Sequence, residues 1–262
     1  MENNNNNYKQ FIEENSKLRS FGRQEEVNAA VWNSVEQVET RHETTRSFVV
    51  RTYLNLFGAV ALFAVLEAII FSLVGSQGII ELFASSGKLL ALVMLGLCLG
   101  GPSLGTYMLT RSTSRVGQYG VLGYYSVLYA LIFTPILAIA QNMAGGALIM
   151  QAVGLTVALF AALSSAVFIT RANFSFLRTG LTFFGLAAFI LILASWLLNF
   201  TLGVWFSAAM IVLMCGYILY ETSMMIHEMD DSHDVIASIM LFSSLMTLFY
   251  YVLRLVMAFN RR

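Results

Sequence analysis

The 262 residues are 58% hydrophobic and only 11% charged, with a mean hydropathy of +0.72 and no formal net charge. Soluble domains carry about 25% charged residues, so too few polar side chains are present here to cover a water-exposed surface. Zero net charge also removes any electrostatic case for nucleic acid or for acidic substrates.

The charge is unevenly placed. Residues 1–47 hold eight acids and six bases, whereas the other 215 positions hold seven and nine. The chain starts MENNNNNY, and the asparagine run at 3–7 is low complexity. Residues 8–47 are polar with isolated apolar points at Phe11, Leu18, Val27, Val31, Trp32 and Val38. That pattern suits one or two short helices at a membrane surface or docked on a bundle. Forty residues can hardly bury a core, so no folded catalytic domain is expected in this partly disordered tail. The start has neither a basic n-region nor an apolar h-region, and the first span is expected to act as its own insertion signal.

Seven apolar segments follow, at about 48–74, 88–110, 117–140, 146–170, 177–199, 202–226 and 235–258. Each exceeds the roughly 20 residues that cross a ~30 Å hydrocarbon core. Continuous apolar runs without period-2 alternation exclude a β-barrel, which leaves helix as the spanning structure. The predicted fold is an all-α, polytopic bundle of seven transmembrane helices in domain 48–258, with a tail at 1–47 and a basic end at 259–262. Gly96-x-x-x-Gly100 and Gly101-x-x-x-Gly105 read as helix-packing devices, and Pro102 and Pro135 as kinks. Cys98 and Cys215 lie inside apolar runs and behave as small hydrophobes.

Orientation follows from the bases. Arg46 and Arg51 precede the first span, and Arg111, Arg115, Arg171 and Arg178 flank even-numbered connections, while the odd connections hold only Lys88 against Glu81. That asymmetry puts the N-terminus in the cytoplasm. Seven crossings then place Arg254, Arg261 and Arg262 outside, so a last segment that stops short of crossing stays open as an alternative.

Ionisable residues inside spans are rare and costly, which singles out Glu67, Glu221 and Arg254. Glu221 lies about five residues from the end of the sixth span, roughly 7 Å deep. Tyr217, Tyr220, Glu221 and Met224 are spaced i, i+3, i+4, i+7 and form one stripe. The seventh segment has its own stripe in Ser244, Thr247, Tyr251 and Arg254. A short loop makes the two segments antiparallel neighbours and brings Glu221 toward Ser244, where the carboxyl is a candidate for titration near physiological pH. Arg254 near the end of its segment reads as a side chain that snorkels to the interface. Glu67 lies toward the outer end of the first span. The loop HEMDDSHD at 227–234 holds four acids and two histidines. It reads as a solvated charge run, because it lacks the EF-hand glycine and the terminal glutamate at the required offset. No GxSxG, HExxH, Walker A or GxGxxG motif occurs, so neither an enzyme nor a resident cofactor is expected.

The run GYILYETSMMIH at 216–227 resembles the sixth span of the Bax inhibitor-1 family, where a Tyr-Asp-Thr-like triplet is followed by an isoleucine-rich turn. The closing helix ASIMLFSSLMTLFYYVLRL at 237–255 and the aromatic stretch YYSVLYALIFTP at 124–135 are similar to the same family, and the resemblance covers about 48–258. The first run is most similar to the bacterial YccA-like branch, which would place the chain in a bacterial inner membrane. The resemblance implies a seven-helix bundle with a central last helix. It implies either a pH-sensitive calcium or cation leak, or a regulator that binds a membrane AAA protease or stress and cell-death partners. The family's pH sensor is a pair of aspartates in the last two spans. Glu221 takes the first position and Ser244 the second, so the second charge is missing. The family's latch arginine corresponds to Arg111 or Arg115, and Arg254, Tyr220 and Thr247 stand as residues of an ion path. The lipid bilayer is the one partner the sequence requires, and calcium enters as transported ion rather than as cofactor.

Overall fold

An apolar run longer than the bilayer is thick can satisfy its backbone in lipid only by bonding to itself. In the computed structural model all seven runs do so. The structure describes residues 46–112, 114–198, 200–230 and 232–260, without the side chains at 87–89 and 91. The tail at 1–45, Thr113, Asn199, Asp231, Arg261 and Arg262 therefore lie outside the described residues. The helices are α1 (Arg46–Ser85), α2 (Gly87–Arg111), α3 (Arg115–Ala144), α4 (Ala147–Thr170), α5 (Leu177–Leu197), α6 (Val204–His227) and α7 (Asp234–Asn260). Every one is long and apolar enough to cross a membrane, and no strand occurs among the described residues.

Most limits fall within four residues of those predicted. The exception is the end of the first span. Residues 75–85, most of the predicted connection at 75–87, continue as helix in α1. Gly75 has φ +73°, the left-handed region open to glycine, so the chain redirects there without leaving helical hydrogen bonding. At 40 residues α1 is about 60 Å long, twice the hydrocarbon core, and its last part lies beyond any straight crossing.

Consecutive helices alternate in direction. The end where α1, α3, α5 and α7 begin is called the near end below, and the opposite one the far end. At the near end Ser223 of α6 accepts from the Phe174 backbone N–H at 2.9 Å and donates to the Ala172 carbonyl at 3.2 Å, which ties α6 to the α4–α5 connection. At the far end the Arg254 guanidinium donates to the Leu202 carbonyl, which ties α7 to the α5–α6 connection. Arg254 is half-buried, and its guanidinium reaches the connection at the far end of the bundle. The 27-residue α7 is long and apolar enough to cross a membrane.

α7 is the core helix. In its spanning window 67% of residues are buried, against 11% for α5. It packs against α3, α4 and α6. Its contact with α3 is aromatic: Phe133 stacks on Phe249 with centroids 5.5 Å apart, and Tyr129 meets Phe242 edge-on at 5.5 Å. Such pairs add about 0.5–1.5 kcal/mol beyond the area they bury. α1 joins the core through hydroxyls: Ser126 of α3 donates to the Ala59 carbonyl and Ser238 of α7 to the Thr52 carbonyl.

The two glycine pairs of α2 have separate fates. A Cβ on Gly101 would stand 2.6 Å from Leu128 Cδ1, and one on Gly105 2.5 Å from the Tyr125 ring. This pair seats α2 directly on α3, where Tyr124 and Tyr125 also donate to the carbonyls of Gly101 and Pro102. Gly96 and Gly100 have no such neighbour within 4 Å. Gly105→Leu should destabilise the detergent-solubilised protein by about 1–3 kcal/mol through overpacking. Gly100→Ala should match or slightly exceed wild type in the same thermal unfolding assay.

Candidate functional site

Two polar clusters lie in the near half of the bundle. The first joins α6 and α7. Glu221 stands six residues before the end of α6, about 9 Å along the helix. Its carboxyl is 8% exposed and accepts from Ser244 Oγ at 2.8 Å, while its second oxygen is buried with no hydrogen-bond partner. Sequence spacing and a short connection bring these two side chains together, because the stripes of two antiparallel helices face each other. The titratable groups turned toward Glu221 are the phenols of Tyr129 on α3 and Tyr217 on its own helix. Beside it on α6 Thr222 is fully buried, and its hydroxyl, Tyr53 Oη of α1 and Ser164 Oγ of α4 form a buried group in which the tyrosine faces the other two.

Of the remaining stripe residues, Tyr217 donates to the Leu181 carbonyl of α5 at 3.0 Å, and two others bond within their own helices. Tyr220 donates to Met224 Sδ at 3.4 Å and Thr247 to the Ser243 carbonyl at 2.8 Å. The Tyr129 hydroxyl also reaches the Ser243 carbonyl, at 3.4 Å. Arg254 lies at the far end, away from Glu221 by a helix rise of about 15 Å measured from Ser244. These residues flank the Glu221–Ser244 pair without bonding to it.

The second cluster closes the near end itself. Arg115 at the start of α3 donates to Asp234 Oδ1 at 2.6 Å, and Asn55 Nδ2 of α1 donates to Asp234 Oδ2 at 3.2 Å. Tyr119 completes the group with a bond to Asn55 Oδ1 at 3.3 Å. The Asp234 side chain is 1% exposed, whereas that of Arg115 is 52% exposed. An acid in the first turn of α7 also complements the helix dipole. The other candidate, Arg111, lies over the ring of Tyr107 at 5.3 Å and takes no part. Neither arginine bonds to Glu221 among the described residues.

Asp234 is the residue that sequence reading missed, since it was grouped with a solvated loop. The rest of that loop fits the description better: Asp230 is exposed at 4.0 Å from His233, and Glu228 accepts from Ser175 at the surface. Asp234 differs because it begins a helix whose first turn is covered by α1 and α3. The available signal was an acid immediately before an apolar run, the usual mark of a helix start. Among the described residues no three His, Cys, Asp or Glu side chains converge as metal ligands.

The sequence matches the family described as "Inhibitor of apoptosis-promoting Bax1" over residues 45–261, nearly the whole helical part. The chain belongs to the Bax inhibitor-1 family. It is also similar to the Golgi anti-apoptotic protein of Vaccinia virus, strains Lister, LC16m0 and LC16m8, with 34% identity over 119 residues in each. That alignment covers 44% of this chain and about half, 48%, of the viral protein. In this family member the last two helices thus carry one acid and one hydroxyl, Glu221 and Ser244, in hydrogen-bonded contact.

Removing Arg115 leaves a buried carboxylate with one neutral donor. Arg115→Ala is therefore expected to lower stability by about 1–3 kcal/mol, less than a fully buried pair because half of the guanidinium meets solvent. Asp234→Asn should cost less, and the double variant should fall short of the sum in a double-mutant cycle read by thermal unfolding.

Proposed function

We infer that this Bax inhibitor-1 family protein passes calcium or another cation passively across its membrane, with Glu221 as the titrating gate. The observation that carries the reading is the buried Glu221–Ser244 pair, whose second carboxyl oxygen has no hydrogen-bond partner. An ionised side chain inside a bundle is costly and normally marks an ion or proton path. When Glu221 is protonated, the pair is neutral and closes the contact between α6 and α7. When it loses its proton, the carboxylate needs a counter-charge, and an entering cation supplies it. The group of buried hydroxyls at Tyr53, Ser164 and Thr222 supports the path on the near side. The Arg115–Asp234–Asn55 cluster would be its near-end latch. The basic residues at even-numbered connections favour a cytoplasmic near end. The YILYETS run favours a bacterial inner membrane.

Reconstitution with a calcium dye inside liposomes tests the gate. Flux should rise with pH in wild type and lose that dependence in Glu221→Gln, and absence of flux at every pH contradicts the leak. Ser244→Asp restores a second acid within hydrogen-bond reach of the first. Its pH profile should change from one titration step to two, as for coupled carboxyls.

A non-conducting regulator is the second reading. The lack of a charge at Ser244 favours it, as does similarity to a viral protein named anti-apoptotic. In that form the chain binds a membrane protease or cell-death partners without enzymatic activity of its own. Loss of a co-purifying protease on deleting residues 1–47 would support it.

A further inference from the structure

The gate leaves a second buried acid unused. Glu67 of α1 is 6% exposed and stands in the far half of the bundle, about 30 Å along α1 from its start. Its Oε2 accepts from Thr134 Oγ1 at a long 3.4 Å, while that hydroxyl already donates to the Ala130 carbonyl at 2.8 Å. A hydroxyl has one proton, so Thr134 cannot fully satisfy both. Glu67 Oε1 is buried and has no partner at all.

This acid lines a cavity of about 440 Å³ bounded by α1, α3, α4 and α7. The volume falls in the range of small-molecule sites. The walls are apolar, with Phe63, Phe71, Ile149, Val153 and Phe249 among them. Three polar side chains interrupt them: Glu67, Thr156 and Gln141. Thr156 is 3% exposed and its hydroxyl also has no partner. Two nine-tenths-buried residues from different helices thus line one apolar chamber, each with an oxygen atom that has no hydrogen-bond partner.

The chemistry of an occupant follows from that inventory. Carboxylate and amide oxygens accept hydrogen bonds, and a threonine hydroxyl can accept as well. A ligand that satisfies them must bring several donors and, against an ionised Glu67, a positive charge. Its remainder must be apolar to fill the walls. A primary ammonium on a long hydrocarbon chain meets all three demands. An alcohol brings one donor and no charge, and a quaternary ammonium brings charge and no donor. A phospholipid amine would carry an anionic phosphate toward Glu67.

We propose that the cavity between α1, α3, α4 and α7 binds a membrane-dissolved long-chain primary amine, with Glu67 as its counter-ion and Thr156 and Gln141 as further acceptors. The site is independent of the gate at Glu221 and holds whether or not the protein conducts.

The test uses the full chain in bilayers and a photoreactive long-chain primary amine, with labelled peptides mapped by mass spectrometry. Labelling should map to the cavity walls and be displaced by dodecylamine, but not by dodecanol. Glu67→Gln should weaken displacement by dodecylamine roughly ten-fold or more, and Thr156→Val should weaken it less. If amine and alcohol compete equally, the cavity is only a slot for hydrocarbon and the proposal fails. It fails too if Glu67→Gln behaves as wild type. Should Glu67→Gln not fold, the alcohol comparison and Thr156→Val still decide.

Discussion

Lipid solvates neither a backbone amide nor a side-chain charge, and the structure is organised by that constraint. Helices absorb the backbone. Many of the polar side chains that remain are turned inward, and several of their contacts converge on α7. This helix meets α1 through Ser238 and Asp234, α3 through stacked aromatics, α6 through Ser244 and the α5–α6 connection through Arg254. The outer helices α2 and α5 can expose Val93, Leu104, Phe183 and Ile190 because hydrocarbon is as good a neighbour as another helix. A central helix with polar groups at its start, middle and end is therefore the element whose position both clusters share.

Depth and pairing were legible in the sequence to different degrees. Six of the seven spans were readable to within a few residues at both ends because each is an unbroken apolar run closed by arginine, glycine or asparagine. The register of Glu221 against Ser244 was readable as well, since a short connection leaves two stripes little freedom to slide. Residues 75–85 defeated the same reasoning, because glycine and serine signal a turn whether or not the chain stays helical. Gly75 redirects α1 through its φ alone, which composition does not encode. Asp234 was obscured by its company in a charged loop. Its burial depends on where α1 and α3 begin, and no local pattern carries that information. Glu67 was placed toward one end of its span, yet its unpartnered oxygen and its cavity emerge only when α1, α3, α4 and α7 are assembled.

The two buried acids illustrate two solutions to one problem. Glu221 has a dedicated donor on the neighbouring helix at 2.8 Å for one carboxyl oxygen, while the other has no partner. Glu67 has only a shared, distant hydroxyl and an apolar chamber before it. The first arrangement suits a group that changes charge in place, the second one that waits for a charge to be brought. Ser244 matters for the same reason: a hydroxyl donates to the acid opposite without carrying a second charge, so the proposed gate has one carboxyl rather than a dyad.

That single-carboxyl centre can be observed directly by pH-dependent infrared difference spectroscopy on the protein in bilayers. In a Glu67→Gln background, which removes the band of the other buried acid, a protonated-carboxyl C=O band should titrate, vanish on adding Glu221→Gln, and move to higher frequency on adding Ser244→Ala as the hydrogen bond is lost. A band that ignores the loss of the Ser244 hydroxyl, or a Glu221 that stays ionised throughout, would contradict a gate built on this pair.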